Sequence, residues 1–160
     1  MSEILAVADE NDNLIGSASW EKVFEKKLIH RASNVIVFNS KGQIYVHKRA
    51  DGLNLFPGLY DMKFGGAVRD GESYEQCAKR ELEEESGIKN AKLEFLFASK
   101  FRNKQMNANR QVFKCVYNKE LTLQVEEVSW GKFVEIDEIN SFNLSPSAKE
   151  VFEQFKEHNK

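Results

Sequence analysis

Apolar positions follow two rhythms along this chain, and the rhythm decides the element. The segment ILAVADENDNLIGSASW reads as two short strands about an Asn/Asp-rich turn. Val23, Phe24, Lys27 and Leu28 then recur at helical spacing, which predicts a short helix over 20–29. Two β-rich runs, 34–38 and 44–49, flank the turn Ser40-Lys-Gly-Gln43 and read as a hairpin. Residues 50–58 hold Gly, Asn and Pro and read as a loop. The strongest helical stretch is 72–86, free of Gly and Pro and stopped by Gly87. Residues 92–101, 109–118 and 121–135 carry β-type apolar content, with a polar loop at 103–109. Ser145-Pro146 then pairs an N-cap with a proline at the first helical position, ahead of Val151, Phe152 and Phe155 on one helix face. Mixed strands with one central and one terminal helix predict an α/β fold with helices packed on a mixed sheet.

Composition narrows the classes. The 160 residues fit one domain, and no repeat or proline-rich linker divides them. A net charge of −2 argues against a broad grip on nucleic acid or on an anionic membrane, both of which need a basic excess. Two cysteines, Cys77 and Cys115, cannot build a disulfide framework or a four-ligand zinc site, and read as buried inert thiols. No apolar run reaches membrane-spanning length, and the first residues lack a secretory pattern, so a cytoplasmic setting is expected.

One window carries chemistry: FGGAVRDGESYEQCAKRELEEESGI, residues 64–88. On a helical wheel of ~100° per residue, Glu81, Glu84 and Glu85 share one arc with Tyr74, Cys77 and Ala78, while Gln76, Lys79 and Glu83 point the other way. Three carboxylates at such spacing repel, and partial burial makes the repulsion worse. Arg80 alone cannot neutralise three acids. A hard divalent cation can, because magnesium prefers oxygen ligands and bridges readily to phosphate.

The residues Gly66, Glu72, Arg80, Glu81, Leu82, Glu84, Glu85, Gly87 and Ile88 stand at the spacing of the Nudix box. The window therefore resembles the Nudix hydrolase superfamily without departure, over residues 66–88. The resemblance implies a single Nudix domain over 1–160, an α/β/α sandwich with a mixed sheet, preceded by a strand–helix extension over 1–29. It implies two or three Mg²⁺ ions, with Mn²⁺ as a substitute, that activate water against a diphosphate bond. Glu81, Glu84 and Glu85 take the metal-ligand and base positions, and the Gly66 carbonyl resembles one that joins the metal shell. Glu72 and Arg80 resemble the pair that supports the loop and helix. The implied substrate is a small nucleotide-type diphosphate, and a homodimer is among the assemblies found in similar proteins.

The stretch before the box is similar to the branch containing isopentenyl-diphosphate isomerase. That branch places a catalytic Cys and a metal-binding His where this chain has Gly65 and Ala67, and residues 98–118 hold no Asp or Glu. A hydrolase is therefore expected over an isomerase-like enzyme or a non-catalytic nucleotide-binding module.

Outside the box several positions stay open. Glu126 and Glu127 stand where many Nudix hydrolases keep another metal ligand or base, and Glu127 is taken as the candidate against a solvated turn before Trp130. Lys48, Arg49, Arg102 and Arg110, with Lys100, Lys104 and Lys114, form either a phosphate-facing wall or exposed cationic strand faces. Phe56 and Tyr60 read as core before base-stacking groups. His30 reads as structural, and His47 as pointing out of its strand.

Overall fold

The structure, a computed structural model, describes residues 3–53 and 56–159. Residues 1, 2, 54, 55 and 160, which fall in the expected extension, loop and tail, lie outside the described residues. The chain opens with the antiparallel strands β1 (Ile4–Ala8) and β2 (Leu14–Ser19) and the helix α1 (Trp20–Glu25). Ser19 caps α1, and the helix stops short of the expected Ile29 because Lys27 takes a left-handed φ of 52°.

Strand β3 (Ile29–Phe38) is the spine of a mixed sheet. It runs parallel to β8 (Asn107–Val116) over its whole length and antiparallel to β6 (Phe64–Ala67), with β7 (Glu94–Arg102) beyond β8. Strand β4 (Ile44–Arg49) pairs with β3 only at Phe38↔Ile44, then splays away to take β9 (Val128–Val134) on one edge and β5 (Tyr60–Asp61) on the other. The expected hairpin is thus a corner between two pairing sets.

Helices α2 (Tyr74–Ser86) and α3 (Pro146–His158) cover opposite faces, and strand alternation decides what each covers. Val35 and Val37 pack toward α2 with Cys77, Ala78 and Leu82. Their neighbours Ile36 and Phe38 pack toward α3 with Val151, Phe152 and Phe155. Burial of such side chains contributes roughly 1.5–3 kcal/mol each. The α/β/α sandwich with a mixed sheet is borne out.

Three boundaries move for physical reasons. Helix α2 begins at Tyr74, because Ser73 is its extended N-cap in a reciprocal box with Gln76. Strand β8 starts at Asn107, which shortens the loop expected over 103–109. The expected strand over 121–135 survives only as β9. Its first half packs Leu121 and Leu123 beside α2 and donates from the Thr122 and Gln124 N–H groups to the carbonyls of Ser86 and Glu85. Those carbonyls belong to the end of α2, where no intrahelical partner exists. Among the described residues no helix is long and apolar enough to cross a membrane.

Candidate active site

The even-numbered face of β3 is covered by α3 at Ile36 and Phe38 but not at His30, Ala32 and Asn34, which floor a cleft of about 460 Å³. Helix α2 sends its acidic side over one end of that floor. The wheel explains the gradient of burial there. Cys77, Tyr74, Ala78 and Leu82 span the buried arc; Glu85 falls near its centre, Glu81 within it but nearer the Cys77 edge, and Glu84 just beyond that edge. Glu85 is accordingly 5% exposed, while the side chains of Glu81 and Glu84 are 15% and 47% exposed.

Each buried carboxylate has a fixed partner. Glu85 Oε1 accepts from the Gly65 backbone N–H at 3.0 Å. Arg80 donates to both oxygens of Glu72, from Nε at 2.7 Å and from NH2 at 2.9 Å. Its NH1 donates to Glu81 Oε1 at 2.8 Å, and NH2 also reaches the Ala67 carbonyl at 3.3 Å. Glu72 sits outside the helix because Ser73 is the cap, and it accepts from the Arg69 backbone N–H at 3.0 Å. Arg80 therefore ties the loop before α2 to the helix and to Glu81 in one fork, a geometry lysine cannot supply. Gly66 is needed for room: a Cβ there would lie 2.5 Å from Glu81 Oε1 and 2.6 Å from its carboxyl carbon.

Electrostatics follow burial. Desolvation, then the Glu81 and Glu127 carboxylates, push the Glu85 carboxyl well above the usual carboxylate range, against the Gly65 N–H bond. Desolvation also raises Glu81, opposed by Arg80 and reinforced by Glu84 and Glu127. Burial raises Glu127 as well, with Arg49 acting against it. Glu72 goes the other way: burial would raise it, but the Arg80 and Arg69 bonds hold it below its ordinary value.

Of the Glu126 and Glu127 pair, Glu127 reaches the cleft and Glu126 is exposed. The 121–127 segment delivers it, locked by the Ala50 N–H donating to the Glu127 carbonyl at 2.9 Å. Among the described residues no three acidic, His or Cys side chains already converge as a finished metal cage. The donor set is nonetheless all oxygen, crowded and desolvated, the chemistry a hard divalent cation satisfies.

The basic wall is corrected. Among the described residues the cleft cations are Arg49 and Lys63, and Lys63 was not singled out by the sequence. Lys48 lies outside the cleft. Arg102 turns to Asn109 Oδ1, the Ala108 carbonyl and Glu10, and Lys100 also pairs with Glu10. Lys114 lies over the Phe38 ring. Arg110 is only 2% exposed, held by Ser99, Ser147 and Glu150 beneath α3. His47 is likewise corrected: it is buried, stacked on Phe64 at 4.3 Å, with Nε2 2.7 Å from the Lys63 carbonyl. Cys77 and Cys115 are free and buried as expected, and burial pushes the Cys77 thiol up to about 12. Phe56 lines the cleft, whereas Tyr60 packs against the α3 core. Sequence reasoning passed over Asn34, Asp61, Lys63, Trp20 and Phe24, which also line the cleft. The alternation of His30, Ala32 and Asn34 was a signal available for the floor.

Comparison with known proteins gives a consistent result. The NUDIX domain model matches residues 28–155. The chain is 36% identical over 133 residues to the uncharacterized Nudix hydrolase PA4841 of Pseudomonas aeruginosa, covering 83% of this chain and 79% of that one. It is 37% identical over 137 residues to the uncharacterized Nudix hydrolase SCO1686 of Streptomyces coelicolor, covering 82% and 74%. The fold superposes on the crystal structure of DR0079 from Deinococcus radiodurans with a TM-score of 0.78 at 22% identity, covering 95% and 98% of the two chains. The NUDIX domain of Shewanella oneidensis NrtR, a cocrystal with ADP ribose, matches with a TM-score of 0.68 at 20% identity, covering 87% and 92%.

Proposed function

Because the chain belongs to the NUDIX domain family and is a Nudix hydrolase, we propose that it cleaves the diphosphate bond of a nucleoside-diphosphate-linked substrate with Mg²⁺, or Mn²⁺ in its place. Nudix hydrolases generally use divalent metal ions. The observation that carries the proposal is the desolvated set Glu81, Glu85 and Glu127 facing one cleft, each with its proton affinity raised first by burial and then by neighbouring carboxylates. Such a set is relieved by cations, so the residues fit the group the family uses. Glu81, Glu84 and Glu85, with Glu127 and the Gly66 carbonyl, are the groups that would hold it. When bound, the metal supplies charge neutralisation on the diphosphate and activation of water.

The chain's own residues do the remaining work. Arg80 fixes the Glu81 carboxylate through NH1 and fixes the approach loop through Glu72, so both arrive preorganised. Glu81 is the partly buried carboxylate best placed to take a proton from the attacking water, since burial raises its basicity while Arg80 holds it in place. Arg49 and Lys63 bring positive charge to the same cleft, where transferring phosphoryl oxygens need it. Gly65 and Ala67 carry no group able to move a proton on an allyl substrate. Two buried, unpaired thiols fit a reducing cytoplasm.

The test is a panel of nucleotide diphosphates with Mg²⁺ or Mn²⁺, the products identified by mass. Metal-dependent release of two phosphate-bearing fragments is expected, and Glu84→Gln with Glu85→Gln should abolish it. Interconversion of allylic diphosphates without phosphate release would overturn the proposal in favour of an isomerase.

A further inference from the structure

Between β5 and β6 the chain changes neighbours. Asp61 pairs with His47 on β4, whereas Phe64 pairs with Val35 on β3, so Met62 and Lys63 cross the gap where β3 and β4 splay apart. Met62 is fully buried and Lys63 is 9% exposed. Backbone groups at such a crossing need partners that no sheet ladder supplies. Two side chains provide them. Asp61 Oδ1 accepts from the Lys63 backbone N–H at 3.0 Å, and His47 Nε2 donates to the Lys63 carbonyl at 2.7 Å. The His47 ring also lies flat on the Phe64 ring, with centroids 4.3 Å apart and planes within 6°.

The tautomer of His47 follows from its partner. A backbone carbonyl only accepts, so Nε2 carries the proton, and Nδ1 is left buried without a partner. Burial disfavours the imidazolium and holds the ring below its ordinary pKa. A leucine could fill the same place against Phe64 but would leave the Lys63 carbonyl without a donor, the costly outcome for a buried polar atom. The residues that follow belong to the site: the Gly65 N–H donates to Glu85 Oε1, and Gly66 backs onto Glu81. Strand β6 is four residues long and pairs along one side with β3, so its seat against α2 depends on how it is held at its entry.

We propose that His47 is a positioning residue for the carboxylate end of the cleft. By anchoring Lys63 and Phe64 it presents the Gly65 N–H to Glu85 and sets Gly66 beside Glu81. The inference rests on those carboxylates holding the metal. His47 does not line the cleft, and it acts through the backbone of the four residues between its own anchor and Gly66. Without the anchor that backbone can shift, and Glu85 is no longer aimed by a fixed donor.

Mn²⁺ binding and amide exchange test this without turnover. In calorimetric titrations of the whole chain, His47→Leu should bind Mn²⁺ about tenfold more weakly, the loss usual when a group that orients a metal ligand is removed. His47→Gln, whose amide nitrogen can take the place of Nε2, should stay within about threefold of the parent. In the metal-free chain the Gly65 amide should exchange about tenfold faster in His47→Leu than in the parent or in His47→Gln. Phe155→Leu, which loosens the α3 core against Phe38, should lower the melting temperature with neither effect. Should His47→Leu fail to fold, His47→Asn, whose shorter amide stops before the carbonyl, takes its place with the same expected losses. Mn²⁺ binding by His47→Leu at parental strength, unchanged Gly65 exchange, or equal weakening in His47→Gln or Phe155→Leu overturns the inference. A parent that binds no Mn²⁺ overturns the metal reading and this inference together. A parent that binds Mn²⁺ and depends on His47 for it, yet releases nothing from any diphosphate, overturns the proposed reaction alone.

Discussion

Gly66→Ala separates the position of one carboxylate from the stability of the fold. Gly66 lies in the extended strand β6 with no left-handed φ, so alanine suits the backbone. The added methyl carbon would stand 2.5 Å from Glu81 Oε1 and 3.0 Å from Oε2, where ordinary contact begins near 3.4 Å. The carboxylate must retreat by about 1 Å, and its 2.8 Å bond from Arg80 must break or turn. A displacement of that size at a reacting centre costs about 10²-fold in rate, or ~2.7 kcal/mol of barrier. Glycine-to-alanine exchange meanwhile restricts the unfolded chain and offsets part of the crowding by about 0.4–1 kcal/mol. The melting temperature should therefore change little while kcat collapses on the best substrate of the nucleotide panel at saturating Mg²⁺. A folded variant whose kcat stays within about threefold of the parent, ~0.7 kcal/mol, would show that the site of Glu81 above Gly66 does not govern turnover.

Other variants probe the remaining contacts. Arg80→Lys loses the fork to Glu72 and strands two carboxylates; wholly buried pairs cost about 3–5 kcal/mol when broken, and this partly exposed one should cost about 2–3, read as a lower urea midpoint at constant slope. Glu85→Gln should stabilise the metal-free protein near neutral pH. The folded carboxyl is raised above its ordinary value of 4.5, so its contribution is full below that value and fades as pH rises through the raised one. Melts between pH 4 and 8 should show the parent losing stability relative to Glu85→Gln as pH increases; parallel curves would contradict it. Saturating Mg²⁺ at 100 times its Kd should stabilise the parent by about 2.7 kcal/mol, reversibly by chelation, and should do little for the Glu84→Gln, Glu85→Gln double variant.

The acidic helix α2 was legible because its information is local. Its stop signal and wheel lie within 64–88, although the cap at Ser73 was passed over and the wheel set the exposed Glu84 on the same arc as the buried Glu85. The two-faced packing of β3 could be read from the run Val35 to Phe38, since a strand apolar on both sides needs two covering layers. The cleft was less legible. It exists where α3 stops covering β3, a matter of how far apart in space two distant segments end. Arg110 looked like a surface cation because its strand is cationic, and nothing local announced that Ser99, Ser147 and Glu150 would enclose it. Asp61 ends the two-residue strand β5 and Lys63 lies between β5 and β6, so neither belongs to a run long enough to show a period. His47 seemed to face out because its strand was imagined with one solvated side, whereas Phe64 covers it.

The alternation of β3 has an evolutionary corollary. Its phase distributes residues among two cores and the cleft floor, so a single inserted or deleted residue upstream of Val35 would exchange their addresses: Ser33 and Arg31 would turn inward to the ligand, and His30 and Asn34 would be driven beneath α2. A change of length is therefore expected to be tolerated in the corner at 39–43 and the turn at 103–106, and not within the strand between Ile29 and Phe38.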